Sequence, residues 1–100
     1  MAAAGADVLY APGLSNLEEV RQIVRAVSRP VNVVTGWLDP DTKLAQLSEA
    51  GAKRISLGGA LSRLMLATFV NAARATQRHG SFAWMRDMIG VAELGQLFKT

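Results

Sequence analysis

The chain has 100 residues and a net charge of +3, and half of its residues are hydrophobic while 19% are charged. This composition is apolar for so short a chain, because small domains have much surface per residue. The excess predicts surface that meets missing parts of the same domain or another subunit. No basic run alternates with aromatic residues, so nucleic acid is not an expected partner. The lack of cysteine excludes disulfides, thiolate metal sites and a cysteine nucleophile.

The sequence also lacks the signals of export and of membrane insertion. The start, MAAAGAD, has no basic region followed by a long apolar stretch, as a signal peptide would. No apolar run approaches the length that spans a membrane. We therefore expect a cytoplasmic protein without a membrane partner.

The first half of the chain shows two strand-to-helix units. A strand is predicted at residues 6–11, and an amphipathic helix follows, with Ser15 and Glu18 in the spacing of a capping box. The second strand is predicted at 29–36. Asp39 would cap the helix that follows it.

The second half repeats this order and adds a tail. Gly51 is typical of the residue that ends a helix, and a third strand is predicted at 52–58. The helix predicted at 60–78 is apolar over a wide arc of its surface. A helix with one face exposed to solvent would have a narrower apolar stripe. We assign residues 1–80 to three βα units. We expect residues 81–100 to form a helical tail of two short pieces that packs on these βα units or on a neighbouring subunit.

The repeated βα order predicts an α/β fold with parallel strands and right-handed crossovers. Residues 3–13 and 49–59 resemble each other weakly, and each stretch leads into a helix. Such repetition is typical of a (β/α) barrel or a doubly wound sheet. Three strands cannot close a barrel, so the chain is either a piece of a larger protein or depends on a partner.

The alternation of side chains along the strands predicts two different faces. One face is apolar and suits packing under helices; it carries Leu9, Val31, Val33 and Ile55. The other face is mixed and carries Tyr10, Asn32, Arg54 and Ser56. A barrel lumen that has its chemistry at the C-terminal mouth would explain the mixed face.

The chain contains, in this order, the four segments AGADVLYAPGL, RPVNVV, LSEAGAKRISLGGALSR and GVAELGQLF. Together they resemble the C-terminal part of the isocitrate lyase and phosphoenolpyruvate mutase superfamily, nearest to its phosphoenolpyruvate mutase-like branch. The resemblance implies a TIM (β/α)8 barrel, of which this chain would supply strands six to eight and a helical tail.

The resemblance also implies an activity. Such an enzyme would be a Mg²⁺-dependent lyase or mutase that cleaves or rearranges C–C or P–C bonds of small 2-oxo acids or carboxylates through a pyruvate enolate. It would be a homo-oligomer whose subunits exchange the helix at 60–78. The magnesium ligands of the family lie in earlier strands, so we expect no catalytic or metal-binding residue here and no activity from this chain alone. Pro12 stands where lyase members carry a glutamate, which argues against true isocitrate or methylisocitrate lyase activity.

Four residues are candidates for substrate binding. Asn32 could bind a carboxylate or could be a satisfied interior amide, and Val34 is the alternative if the register differs by two residues. Gly58 and Gly59 could offer backbone amides at a helix start or could simply make a tight turn. Arg63 could add charge to the site or face a neighbouring subunit.

Other polar residues have simpler explanations. Arg54, together with Ser56, could line the lower lumen, where a carboxylate partner for the arginine is the expected arrangement. Asp39 and Asp41 suit a helix start better than catalysis. A second hypothesis is not enzymatic: a βα module that assembles through the apolar helix at 60–78.

Overall fold

The computed structural model describes residues 2–99 and is an α/β structure built around one parallel sheet. The three strands lie in the order β1-β2-β3: β1 (Leu9–Tyr10), β2 (Val31–Val34) and β3 (Arg54–Ser56). The α-helices are α1 (Leu17–Ala26), α2 (Leu44–Glu49), α3 (Ala60–His79) and α4 (Val91–Leu97). Short 3-10 helices occupy Ala2–Ala4, Thr35–Trp37 and Ala83–Asp87. The predicted α/β class and parallel strand direction are confirmed.

The chain divides into two compact units, Met1–Leu61 and Ser62–Thr100. The first unit contains the sheet with α1 and α2, and the second contains most of α3 with the segments that follow it. The boundary expected near residue 80, between βα repeats and tail, stays a prediction. Within the part of the chain that the structure describes, no helix is long and apolar enough to cross a membrane.

The core of the first unit lies on one face of the sheet. Val31 and Val33 of β2 are fully buried there, and Val20 of α1 and Leu47 of α2 pack with them. Ile55 of β3 packs against the same cluster. The alternation of side chains therefore predicted this face correctly, because parallel strands covered by crossover helices bury their branched residues under those helices.

Helix α1 begins one residue later than the sequence predicted. Asn16, not Ser15, is the N-cap: its Oδ1 accepts a hydrogen bond of 2.9 Å from the backbone N–H of Glu19. The carboxylate of Glu19 in turn accepts from the backbone N–H and the hydroxyl of Ser15, and these bonds lower the pKa of Glu19. Glu18 instead faces Arg21 at 3.6 Å. Asparagine caps as well as serine does, and two successive glutamates allow either register.

The start of helix α2 is also a correction. Asp39 does not cap it, because its Oδ1 accepts from the backbone N–H of Asp41 at 2.9 Å and its carbonyl accepts from Thr42. The side chain thus closes a separate turn of the kind that aspartate favours. The helix starts only at Leu44, after Lys43, whose backbone N–H donates to the side chain of Gln46.

The end of α2 follows the sequence prediction. Gly51 has a φ of +100°, and its N–H donates to the carbonyl of Ser48 while that of Ala52 donates to Leu47. This pair of bonds is the Schellman arrangement, which needs a left-handed residue after the helix. A Cβ on Gly51 would lie 2.7 Å from Cγ1 of Val24, so the glycine also lets α2 approach α1.

The second unit is organised by α3 and a hydrogen-bonded turn after it. Trp84 donates its indole N–H to the hydroxyl of Thr76 at 2.9 Å, and that hydroxyl donates to the carbonyl of Ser81 at 3.1 Å. No residue of α3 is buried. Its exposed apolar side chains include Leu61, Leu64, Met65, Leu66 and Phe69.

Replacing Gly51 with alanine tests the two roles of this residue. We expect Gly51→Ala to lower the free energy of unfolding by about 2–5 kcal/mol, because a left-handed conformation and a steric overlap both act against it. Gly13→Ala is the matched control: its φ is +78° but a Cβ there meets nothing within 4 Å. It should cost only about 1–2 kcal/mol. Urea unfolding measures both, and equal losses would refute the steric role of Gly51.

Candidate functional site

A pocket of about 580 Å³ lies on the sheet face opposite the core of the first unit. The mixed face that the sequence predicted forms its floor. The lining residues come from all three strands and the turns at their ends: Val8, Tyr10, Asn32, Val34, Trp37, Arg54, Ser56 and Gly58. The core and the pocket thus share one sheet and use alternate residues of each strand.

The strand register determines which side chains are neighbours in this pocket. Tyr10 pairs with Asn32, and Asn32 pairs with Arg54, so these three residues form one row across the sheet. Val34 pairs with Ser56 in the next row, toward the carboxyl ends of the strands. In parallel α/β sheets, ligands bind beyond those carboxyl ends. The Val34–Ser56 row is therefore nearer to the expected ligand position than the row of Arg54.

A chain of two hydrogen bonds crosses the two rows. Arg54 donates from Nη1 to Oδ1 of Asn32 at 3.0 Å, and Asn32 donates from Nδ2 to Oγ of Ser56 at 3.0 Å. Asn32 is only 5% exposed, and among residues 2–99 it is the one polar residue that is buried. Its amide has partners at both ends, as buried polar groups require. Val34, the alternative to Asn32, lines the pocket but brings no polar atom.

The partner of Arg54 differs from the one expected. We predicted a carboxylate, because an unpaired buried charge is very costly. Arg54 is in fact exposed, and its side chain bonds to the neutral amide of Asn32. Within residues 2–99, the structure contains one ion pair, between Arg21 and Glu18. Solvent access removes the need for a carboxylate, since water can hydrate the remaining donors of the guanidinium.

The electrostatic character of the pocket follows from its lining. Arg54 is its one charged lining residue, and Tyr10 and Ser56 add hydroxyl groups. Because arginine carries only donors and a fixed positive charge, the pocket favours an anion. Trp37, 57% exposed, and the valines supply apolar walls. The arrangement suits a small anion that also carries an apolar part.

The two glycines at the end of β3 have different positions. Gly58 lines the pocket and has a φ of +56°, so the left-handed turn itself favours glycine. A Cβ there would lie 3.7 Å from Val34, which is an ordinary contact. Gly59 is exposed and does not line the pocket. Arg63 is an exposed residue of α3 in the second unit.

The register also shows that Ser56 lines the pocket, although it was not among the four residues predicted to bind substrate. Ser56 was expected in the lower lumen, but it lies in the row nearer the carboxyl ends and bonds to Asn32. The signal was the alternation of side chains: Ser56 lies two residues after Arg54 and therefore on the same face of the sheet. Val8 is a further lining residue that carried no signal beyond its place in the alternation.

The family model described as phosphoenolpyruvate phosphomutase matches residues 1–77, most of the sequence. The chain belongs to that family. This match confirms the superfamily that the four sequence segments resemble.

Two solved structures are similar to the chain. A provisionally assigned lyase/mutase from Burkholderia cenocepacia J2315 is 40% identical and superposes with a TM-score of 0.88; the match covers 97% of this chain and 35% of that one. A 2,3-dimethylmalate lyase, described as a PEP mutase/isocitrate lyase superfamily member, has a TM-score of 0.65 at 23% identity, over 96% of this chain and 38% of that one. The second likeness supports the fold alone. No curated protein matches significantly. The chain thus spans little more than a third of the length of these two relatives.

Removing the hydroxyl of Ser56 tests the hydrogen-bond chain. We expect Ser56→Ala to lower the free energy of unfolding by about 1–3 kcal/mol, because Nδ2 of buried Asn32 loses its acceptor. The matched control is Ser48→Ala, an exposed position on α2, which should change stability by less than about 0.5 kcal/mol. Urea unfolding of both variants measures the difference. Indistinguishable stabilities would mean that water replaces the Ser56 hydroxyl without loss.

Proposed function

We propose that the chain supplies strands six to eight of a (β/α)8 barrel, in a Mg²⁺-dependent lyase or mutase that acts on small 2-oxo acids or carboxylates. The reaction would cleave or rearrange a C–C or P–C bond next to a carboxylate and pass through a pyruvate enolate. The observation that carries the proposal is the anion-favouring pocket on the open face of a parallel sheet, in a chain of the phosphoenolpyruvate phosphomutase family.

The geometry of the sheet supports the barrel assignment. Strands β1 and β3 each have one neighbouring strand, so each leaves an edge with unpaired backbone groups. A barrel removes both edges by continuing the sheet in each direction. In a barrel the helices lie outside and the alternate residues point into the lumen, which is the arrangement of the core and the pocket here. The match covers only 35% and 38% of the two similar structures, so most of each of those chains lies outside the part that corresponds to this one.

The substrate would bind by its carboxylate near Asn32 and Ser56. Nδ2 of Asn32 has a second N–H beyond the one given to Ser56, and the hydroxyl of Ser56 can donate as well. Gly58 would add its backbone near the same carboxyl end, with Gly59 beside it at the start of α3. Hydrogen bonds to a carboxylate are stronger than those between neutral groups, so a few donors suffice. Arg63 stays a candidate without a demonstrated position at the pocket.

The residues of this chain do not fit a magnesium site. Within residues 2–99, no group of three or more histidine, cysteine, aspartate or glutamate side chains is placed to hold a metal ion. Magnesium prefers carboxylate oxygens and water. The ion and its ligands would therefore come from protein outside these residues, and the chain alone would be inactive.

A chimera tests the proposal. The chain would replace the matching segment of the Burkholderia protein, and pyruvate release from a panel of 2-oxo and 2-hydroxy acids with Mg²⁺ would be followed by a coupled dehydrogenase assay. Phosphorus NMR would follow P–C bond rearrangement. We expect the chimera to fold and to have the turnover of its parent. In the chimera, Asn32→Ala should lower kcat/KM at least tenfold. The control, Lys53→Gln, should leave kcat/KM unchanged.

The free chain is the second arm of this test. We expect it to turn over none of the panel, because residues 2–99 bring together no set of side chains that could hold the metal ion. Turnover of oxaloacetate or methylisocitrate by the purified chain with Mg²⁺ would contradict the proposal. A chimera that folds cooperatively but is inactive while its parent is active would contradict it as well.

The exposed apolar side of α3 favours a second candidate, a non-catalytic βα module that oligomerises through this helix. Leu61, Leu64, Met65 and Phe69 are each more than 60% exposed. Light scattering after size exclusion separates the two candidates. A module should form a discrete oligomer that unfolds cooperatively, and Leu64→Glu should weaken its assembly at least tenfold. Asn71→Glu, on an exposed polar position of α3, is the control and should not. A chain that stays monomeric, and whose size Leu64→Glu does not change, would favour the barrel segment, for which α3 exchange between subunits is the proposed role.

A further inference from the structure

We infer that Arg54 is a positioning residue that holds the Asn32 amide in one orientation, so that the Asn32–Ser56 pair presents hydrogen-bond donors to the pocket. The nature of the ligand, a carboxylate, rests on the proposed function. The orienting role of Arg54 rests on the geometry of the three side chains alone.

The first step of the inference concerns the chemistry of an amide. An asparagine side chain can turn by 180° and exchange its oxygen for its NH₂ group with almost no change of shape. A guanidinium has five donors and no acceptor, so only the oxygen of Asn32 can face it. Nη1 of Arg54 lies 3.0 Å from Oδ1, and this places Nδ2 on the side of Ser56.

The second step concerns Ser56, which cannot choose the orientation by itself. A hydroxyl donates or accepts equally well, so it would tolerate either end of the amide. Because Nδ2 donates to Oγ, Ser56 acts as the acceptor in this bond, and its own hydroxyl proton is free for another acceptor. The fixed orientation thus turns both Asn32 and Ser56 into donors toward the pocket. An anion needs this polarity.

The third step concerns burial. Asn32 is 5% exposed, so bulk water has little access to its amide and cannot easily take the place of Arg54. The register puts Arg54 directly beside Asn32 on the neighbouring strand, where the backbone holds the pair together. Arg54 is itself exposed and lies one row further from the carboxyl ends than Ser56. It is therefore placed to act through Asn32.

The test compares side chains of different polarity at position 54. In isotope-labelled chain, NMR would measure the nuclear Overhauser effect between the amide protons of Asn32 and the β-protons of Ser56. We expect the wild-type signal in Arg54→Lys, since lysine also has donors only. Glutamate has acceptors only, so Arg54→Glu should invert the amide and lose the signal to Ser56. An unchanged signal in Arg54→Glu overturns the inference.

A milder variant covers the case in which Arg54→Glu fails to fold. In Arg54→Met the amide should populate both orientations, and the signal to Ser56 should fall at least threefold. Lys53→Met removes the same charge one residue away, outside the pocket lining, and should leave the signal unchanged. A full signal in a folded Arg54→Met variant overturns the inference.

Oxalate binding separates this inference from the proposed function. By calorimetry on the chimera described above, the Arg54→Lys and Lys53→Met variants should bind oxalate within threefold of the affinity of the unsubstituted chimera, and the Arg54→Met variant at least tenfold more weakly. If the NMR signals change as expected but the unsubstituted chimera does not bind oxalate, the orienting role stands and the carboxylate site fails. If oxalate binds but the signal between Asn32 and Ser56 is the same in all variants of residue 54, the carboxylate site stands and the orienting role fails.

Discussion

The structure of the first unit depends on the register of three short parallel strands. Side chains alternate along each strand, so a shift by one residue would exchange the set that faces the helices with the set that lines the pocket. In the observed register, Val31 and Val33 are buried under α1 and α2, and Asn32 lies between them on the other face. The burial of two valines thus also decides the direction of the polar amide.

The buried amide links stability to chemistry. Asn32 is held on one side by Arg54 and on the other by Ser56, and these contacts satisfy a polar group that would otherwise be costly to bury. The same three residues line an open pocket with one positive charge. Under the proposed function, the network that satisfies a buried group also prepares a surface for an anion. Since the pocket is open on this face, the remaining walls of a complete site would come from further strands.

The sequence was a good guide to elements and a poor one to their first residues. The strands, the helix that ends at Gly51 and the long helix α3 all follow from periodicity and from glycine. The N-cap residues could not be predicted in the same way. Ser15 and Asn16 are equally good acceptors, and Asp39 can close a turn as readily as it can start a helix. Each choice depends on which donors fold within reach. For the site, alternation predicted the mixed face, but not that Asn32 would take the place of a carboxylate beside Arg54.

The amino-acid sequence by itself determined the α/β class, the parallel strands, the split of each strand into an apolar and a mixed face, and the superfamily. These properties are local or follow from residue order, so periodicity and motif order are enough to specify them. Only the tertiary structure decided that Arg54, Asn32 and Ser56 form one hydrogen-bonded chain. The reason is that residues 22 to 24 positions apart meet only through the pairing of neighbouring strands, and that pairing is set by packing of the whole sheet against α1 and α2.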